Sequence, residues 1–267
     1  MTRFGVLLKR ALHIFYLMIN FRLFKDISEL KEKLCLAFTE NVEDTKDSPL
    51  VSVIIPSWNE AKPLSSLLLS IKKQSFQNIE VIVADYQSTD GTPEIAKNYG
   101  AKVLTLTKKG IGYASHKAAL RSRGDIIIRT DADALFPKWL IGRIVNLFAN
   151  FQKIMLIHGS HIYHDAGFLT NLLAHLYDKY WRQPENVSGF FIAVRRSAYF
   201  DVGGFSNYRY GEDWKFSQNL CKKYGKTSIY YEPLNVIVLT SARNIKAKGF
   251  MKYLLSETTY HDSRAPL

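Results

Sequence analysis

The feature that most restricts what this chain can fold into is a rhythm between residues 50 and 130. Short apolar, β-branched runs alternate there with stretches of helical spacing. Residues 50–55 (LVSVII) form the first run, and the spacing predicts a buried strand that Pro56 ends. Leu64, Leu67, Leu68 and Ile71 then recur at helical intervals over 61–74. Residues 79–84 (IEVIVA) read as a second strand, 85–92 (DYQSTDGT) as a turn-rich loop and 93–99 as the next helix. A third strand over 102–106, a third helix over 112–122 and a fourth strand over 125–129 (DIIIR) complete the pattern. Strands that are apolar throughout are covered on both faces, which predicts βαβ units around a parallel sheet. Crossovers should be right-handed and ligands should sit at the carboxyl ends of the strands. The expected fold class is α/β, a Rossmann-like, mostly parallel sheet flanked by helices. Past about residue 150 the alternation weakens, and a mixed sheet with loops is expected.

Asp131-Ala132-Asp133 follows the fourth run directly. One residue apart in extended chain, two carboxylates point to the same side. Unpaired at the end of a buried strand they repel, and a hard divalent cation relieves that. Mg²⁺ or Mn²⁺ takes one or two carboxylates and completes its shell with phosphate oxygens. The alternative is a solvated acidic turn. Pro56, Asn59 and Glu60 after the first strand, Asp85 after the second and Asp90 in its loop all fall where the crevice should be. An acid there can hydrogen-bond a base or a ribose. Asn59 and Glu60 can equally cap the following helix, and Asp90-Gly91-Thr92 can be a turn and cap. Glu212-Asp213, between Gly211 and Trp214, suggests a carboxylate in a partly apolar pocket, its pKa raised toward that of a general base. The same pair would also complement a helix dipole. Ser188-Gly189-Phe190 would bring a hydroxyl and bare backbone close to a ligand. His158, His161 and His164 recur every third residue and read as structural histidines rather than a metal site.

The net charge of +12 favours anionic partners without choosing among nucleic acid, lipid headgroups and phosphorylated substrates. Lys108, Lys109, Lys117 and Arg121 lie in a stretch from Lys102 to Arg123 that holds no acid, and read as a solvated helix face. The two cysteines, Cys35 and Cys221, are too few and too far apart for a disulfide framework or a thiolate metal site. Residues 4–24 are apolar but broken by Lys9, Arg10 and Arg22, whereas a spanning helix needs about 20 uncharged residues. On a helical wheel Lys9, His13, Tyr16 and Asn20 share one face and Leu8, Leu12, Phe15 and Ile19 the other. This suits a basic helix lying on an anionic membrane surface, or one packed on the protein itself. Residues 245–255 repeat the pattern with Lys246, Lys248 and Lys252. The expected organisation is an amphipathic extension and linker over 1–48, a catalytic domain over 49–244 and a basic tail over 245–267.

Five segments, VSVIIPSWNE, VADYQSTDGT, GDIIIRTDADA, SGFFIAVRRSAYFDVGGF and YGEDW, stand in an order and spacing that together carry a resemblance. Residues 50 to about 245 resemble a family 2 glycosyltransferase with the GT-A fold. The resemblance implies a GT-A type sheet with N- and C-terminal helical extensions, and inverting transfer of a sugar from a UDP- or GDP-linked donor. It implies Mn²⁺ or Mg²⁺ on Asp133 and Asp131, and a donor nucleotide on Pro56, Asn59, Glu60, Asp85, Asp90 and Asp131. Asp213 is implied as the base and Glu212 as its support, with Ser188, Gly189, Phe190 and Trp214 around sugar and acceptor. Arg243 falls where many relatives carry a loop that closes on the diphosphate. Processive members carry a QxxRW sequence that is missing here, so single transfers are expected. His116 stands where relatives often show Asn. The expected acceptor is a glycan, a lipid-linked glycan or a protein, and the expected location is the cytoplasm, peripheral at the membrane.

Three other readings fit parts of the pattern. A nucleotidyltransferase would share the crevice but would need a basic, Gly-rich loop where this chain has Ser57-Trp58-Asn59-Glu60. A nucleic-acid-binding module would explain the charge but not the placed carboxylates, which repel phosphates. No nucleic-acid partner is expected. A degenerate relative that binds nucleotide without turnover is disfavoured by the retained Asp131, Asp133 and Asp213.

Overall fold

The computed structural model describes residues 48–180, 183, 185–207 and 211–249, and each apolar run becomes a strand of one sheet. β1 (Val51–Ser57), β2 (Ile79–Asp85), β3 (Lys102–Thr105) and β4 (Ile126–Thr130) alternate with α1 (Ala61–Lys72), α2 (Thr92–Asn98) and α3 (Ile111–Arg121). Then follow α4 (Leu140–Asn150), β5 (Leu156–Tyr163), α5 (Phe168–Tyr180), β6 (Phe191–Arg195) and α6 (Arg196–Asp201). The described chain ends through α7 (Glu212–Tyr224), a 3-10 turn at Lys226–Ser228, β7 (Ile229–Thr240) and α8 (Arg243–Lys248). Among the described residues the strand order is β3-β2-β1-β4-β6-β5-β7. The β1–β2, β1–β4, β2–β3 and β5–β7 ladders are parallel. β6 runs antiparallel to both β4 and β5, which is the mixed pairing expected of the second half.

Alternate residues of each central strand face opposite layers, which is why the runs are apolar throughout. Val51, Val53 and Ile55 pack with Leu64, Leu67 and Ile71 of α1 and Leu140, Ile141 and Ile144 of α4. Ile54, Ile82 and Ile127 pack on the other face with Ala114 and Ala118 of α3 and Phe216 and Leu220 of α7. Each fully buried Val, Leu, Ile or Phe among these contributes roughly 1.5–3 kcal/mol.

Pro56 does not end β1. The strand runs on to Ser57, with Pro56 opposite Ala84 of β2. The Ser57 carbonyl accepts from the Tyr86 N–H on the β2 side, so the donor that proline lacks falls on the β4 side. There the ladder has already finished at Ile54 and Arg129, and no hydrogen bond is lost.

The N-terminal amphipathic helix, most of the linker and the tail beyond residue 249 lie outside the described residues. α8 straddles the boundary expected between residues 244 and 245. No helix among the described residues is long and apolar enough to cross a membrane.

At the amino edge of the sheet, Glu80 has only 8% of its side chain exposed. Its carboxylate accepts hydrogen bonds from Ser52 Oγ, Lys102 Nζ and the Arg123 backbone N–H. Burial alone would push its pKa up, but the hydrogen bonds from Lys102, Ser52 and Arg123 outweigh it and hold the carboxyl at about 2, below its ordinary 4.5. A carboxyl depressed on folding stabilises the protein above its unfolded pKa and stops doing so as pH falls toward the folded value. Glu80→Gln should therefore lose roughly 2–3 kcal/mol at pH 7. Urea unfolding should show the gap to the native chain closing between pH 5 and pH 2. An equal gap at both ends of that range would refute this account of Glu80.

Candidate active site

The carboxyl edge of the sheet is where β4 runs out into Asp131, Ala132 and Asp133. The chain is not extended there. It turns, with the Ala134 N–H bonded to the Asp131 carbonyl at 3.2 Å, and Leu135 then bridges Leu239 of β7 in both directions. The turn brings both carboxylates to one cavity of about 220 Å³, by a different geometry from the extended one expected. Because β6 is antiparallel to β4, its first residue, Phe191, pairs with the last of β4, Thr130. Thr130 Oγ1 also donates to the Phe190 carbonyl at 2.8 Å. Ser188, Gly189 and Phe190 are thereby set against the two aspartates and line the same cavity.

The opposite wall is the start of α7. Gly211 caps that helix in the left-handed region (φ 78°), where glycine carries no penalty. Glu212 and Asp213 stand in the first turn, so they complement the dipole and also line the cavity. The Trp214 N–H donates to Asp213 Oδ1 at 2.7 Å. Burial, and after it the Asp213 charge, push the Glu212 carboxyl upward, while Arg129 pulls it down.

Arg129 joins the two walls. It is a charged residue with 3% of its side chain exposed, at the end of an isoleucine strand. Nη2 lies 3.0 Å from Asp131 Oδ1 and 3.6 Å from Glu212 Oε1. A Cβ on Gly189 would sit 2.1 Å from Arg129 Nη1, so residue 189 has to be glycine for the guanidinium to lie where it does. Periodicity alone does not single out Arg129. The available signal was a charge inside a buried run, which is seldom tolerated without partners.

A second, larger cavity of about 700 Å³ opens beside the first and shares Ile111, Asp131, Arg243 and Asn244 with it. Pro56, Trp58, Glu60, Tyr86 and Lys109 border it. Trp58 is half exposed, meets Tyr86 edge-on at 6.3 Å and carries Lys109 Nζ 3.5 Å above its ring centre. Lys109 is thus the member of the basic stretch that reaches the crevice, whereas Lys108 and Lys117 flank the Tyr113 ring. Arg243 stands between the cavities. It makes a bidentate pair with Glu60 (2.7 and 2.9 Å) and places Nε 3.0 Å from Asp133 Oδ2. Burial and the Asp131 charge raise the Asp133 carboxyl to about 6 against the pull of Arg243.

Four residues expected at the site, Asn59, Asp85, Asp90 and Trp214, are not among those lining either cavity. Asp85 is 1% exposed, and its oxygens accept from Ser57 Oγ, Ser88 N–H and Ser88 Oγ. Asp90 accepts from the Thr92 N–H and from the Ala61 N–H that opens α1. Glu60 gives α1 no side-chain cap; Asp90 and Thr92 cap it from the neighbouring loop. Asn59 (φ 53°) binds Ser88 and Thr89 in return. These residues knot the β1–α1 and β2–α2 loops together behind the larger cavity. His116 has a structural place: Nδ1 lies 3.1 Å from Tyr199 Oη, which accepts from the Phe205 N–H and so ties α3 to the chain entering α7.

The histidines do not converge. His158 packs on Tyr231, His164 is exposed and His161 faces the smaller cavity. Among the described residues no group of three or more His, Cys, Asp or Glu is placed to hold a metal ion. Asp131 and Asp133 supply two hard oxygen ligands, the number a Mg²⁺ or Mn²⁺ takes when substrate phosphates and water fill the other positions. The donor set fits such an ion.

Arg129 and Gly189 should be energetically coupled. Arg129→Ala strands Glu212 beside Asp131 and should cost about 3 kcal/mol. Gly189→Ala should cost at least about 1 kcal/mol in the native background and much less once Arg129 is alanine. A double-mutant cycle by urea unfolding reads this, and strictly additive costs would contradict the packing described.

Residues 52–211, well over half of the chain, match the family described as Glycosyl transferase family 2. A 4,4'-diaponeurosporenoate glycosyltransferase of Staphylococcus haemolyticus is 36% identical over 137 residues, 46% of this chain and 36% of that protein. The chain spans about a third of the length of the curated relatives it matches first. A mannosyltransferase from Pyrobaculum calidifontis, solved in complex with GDP-Man and Mn²⁺, superposes with a TM-score of 0.60 at 22% identity. That match covers 92% of this chain and 74% of the other. Glucosyl-3-phosphoglycerate synthase from Mycobacterium tuberculosis, solved with Mn²⁺, UDP and glucosyl-3-phosphoglycerate, gives 0.58 at 21% identity. It covers 84% of this chain and 88% of its own. At that identity the two structures establish the GT-A fold alone.

Proposed function

The chain belongs to glycosyl transferase family 2, and from that premise we propose that it moves a sugar, with inversion, from a nucleoside diphosphate to an acceptor hydroxyl. One observation carries the reading. The β4 carboxylates Asp131 and Asp133 face the α7 carboxylates Glu212 and Asp213 across one small cavity, beside a larger one bordered by Trp58. The nucleoside takes the larger cavity, with its base on the Trp58 and Tyr86 rings and Glu60 and Pro56 at its rim. Asn59, Asp85 and Asp90 serve it by holding the two loops that form the cavity wall. The diphosphate lies at the junction, near Asp131, Asp133, Arg243 and Lys109. Bound there, Mn²⁺ or Mg²⁺ on Asp131 and Asp133 would neutralise charge on the departing diphosphate. The Mn²⁺ in the two solved neighbours supports that choice.

Asp213 accepts the proton of the acceptor hydroxyl as that oxygen attacks the anomeric carbon from the face opposite the diphosphate. The bond from the anomeric carbon to the diphosphate oxygen breaks with its electron pair. Trp214 steadies Asp213 through its backbone N–H, and Arg129 steadies Glu212 beside it. Ser188, Gly189 and Phe190 border the sugar and acceptor. Arg243, held between Glu60 and Asp133, is within reach of the diphosphate and would trade a carboxylate for it.

A lipid-linked acceptor at an anionic membrane surface on the cytoplasmic side fits the basic terminal segments. A relative named dolichyl-phosphate hexose transferase, from Haloferax volcanii, supports a lipid acceptor. Transfer is non-processive on this reading.

The test is nucleoside diphosphate release from a panel of UDP-, GDP- and dTDP-sugars with Mn²⁺ or Mg²⁺, with donor binding followed by thermal shift. Release should require metal and be abolished by EDTA. Asp213→Asn should lower the rate at least about 100-fold while keeping the donor-induced shift. Asp133→Ala should lose both. A chain that neither binds nor cleaves any donor in the panel would not be a transferase of this kind.

A further inference from the structure

The smaller cavity has one lining side chain that the transfer chemistry leaves unused. His161, on β5, lines it together with Arg129, Phe190, Glu212 and Asp213. Its side chain is 7% exposed and is wedged between rings, 4.6 Å from Phe190 and 4.7 Å from Tyr163. Behind it, Asp178 of α5, 2% exposed, sets Oδ2 3.4 Å from His161 Nδ1. Among the described residues neither ring nitrogen of His161 makes a hydrogen bond, and Nδ1 alone has an ionic neighbour, Asp178. A buried imidazole with an unused nitrogen on a cavity wall is poorly explained by packing, because a desolvated polar atom left unmade is unfavourable.

The direction of the unused nitrogen follows from Asp178. A carboxylate on the Nδ1 side favours the tautomer with the proton on Nδ1, which leaves Nε2 as an acceptor. The partner it lacks is therefore a donor, such as an O–H. The ring faces beside it suit the apolar face of a sugar, and the cavity's size sets how much of a ligand can enter. At about 220 Å³ it lies below the roughly 300 Å³ at which pockets begin to take drug-sized ligands. It has room for one monosaccharide ring, and it opens at Asp131 and Arg243 onto the cavity that takes the nucleotide.

We propose that His161, backed by Asp178, reads the sugar being transferred, Nε2 accepting from one of its hydroxyls while the ring lies along Phe190. This rests on the transferase reading above and names the residue that selects the sugar. It also gives a role to one of the regularly spaced histidines, of which the other two pack on Tyr231 and face solvent.

The test compares calorimetric affinities for UDP with UDP-glucose and for GDP with GDP-mannose, in the presence of Mn²⁺. It uses the native chain, His161→Phe, His161→Gln and Asp178→Asn. His161→Phe keeps the ring and its packing, and circular dichroism checks its fold. The proposal expects His161→Phe to bind the nucleoside diphosphate within twofold of the native chain but the matching nucleotide sugar about tenfold more weakly. His161→Gln, which keeps a polar end, should recover part of that loss. Asp178→Asn should weaken the nucleotide sugar in the same direction. Equal affinities for both ligands in the native chain and His161→Phe would overturn the proposal. So would a parallel loss for both ligands, which would make His161 a structural residue. If the native chain binds no nucleoside diphosphate or nucleotide sugar of the UDP, GDP and dTDP panel, the transferase reading falls and the inference falls with it.

Discussion

Arg129 is the contact on which the rest of the site depends. A guanidinium almost out of solvent is stable only where carboxylates and dipoles replace its water, and here Asp131 and Glu212 do so from different elements. The same contact fixes the distance between the turn after β4 and the first turn of α7. It also dictates glycine at 189, because no side chain fits between the guanidinium and the start of β6. One buried charge thus sets the positions of three segments that meet at the cavity. A single nitrogen, Nη2, faces both carboxylates, while Nη1 lies against Gly189.

That convergence is possible because β6 enters the sheet against the direction of its neighbours. A parallel strand beside β4 would present its last residues at the carboxyl edge, and the chain would leave through a loop there. The antiparallel β6 presents its beginning instead, so Ser188, Gly189 and Phe190 approach Asp131 directly. β7 adds a second arm. Its pairing with Leu135 brings the chain back over the turn, and Arg243 arrives between Glu60 and Asp133. Asp165 fastens that arm by accepting from the Ala242 N–H and from Lys246.

The strands and crossover helices of the first half were legible in the sequence because burial on both faces leaves an uninterrupted apolar run. Asp131, Asp133, Glu212 and Asp213 were legible as neighbours of one crevice because they stand at strand and helix ends on the carboxyl side of the sheet. Arg129 was hidden by the run it closes, since periodicity counts it as the end of a strand and cannot show that its partners come from α7. Asp85 and Asp90 illustrate the opposite difficulty. Their positions pointed to a ligand, but their oxygens are spent on Ser57, Ser88, Thr92 and Ala61, contacts between loops that no local pattern reveals. His161 looked like one of three equivalent histidines, and only the sheet and α5 distinguish it. Lys109 differed from its basic neighbours only through Trp58, a residue far away in sequence.

Charge explains why a basic chain can hold an acidic site. The residues lining the two cavities include five acids, Glu60, Asp131, Asp133, Glu212 and Asp213, against three cations, Lys109, Arg129 and Arg243. The +12 of the whole chain therefore belongs elsewhere on the molecule. Within the crevice a diphosphate would meet net negative charge, and both Arg129 and Arg243 are already committed to carboxylates. The upward push on Asp133 and Glu212 records the same excess, since burial and neighbouring acids disfavour their charged forms. On the proposed reading, a divalent cation held by Asp131 and Asp133 would reverse that balance, and Arg243 would then be free to turn from Asp133 to the leaving group. The acidity of the crevice thus selects against free polyanions, and favours an anionic ligand that arrives with its own cation.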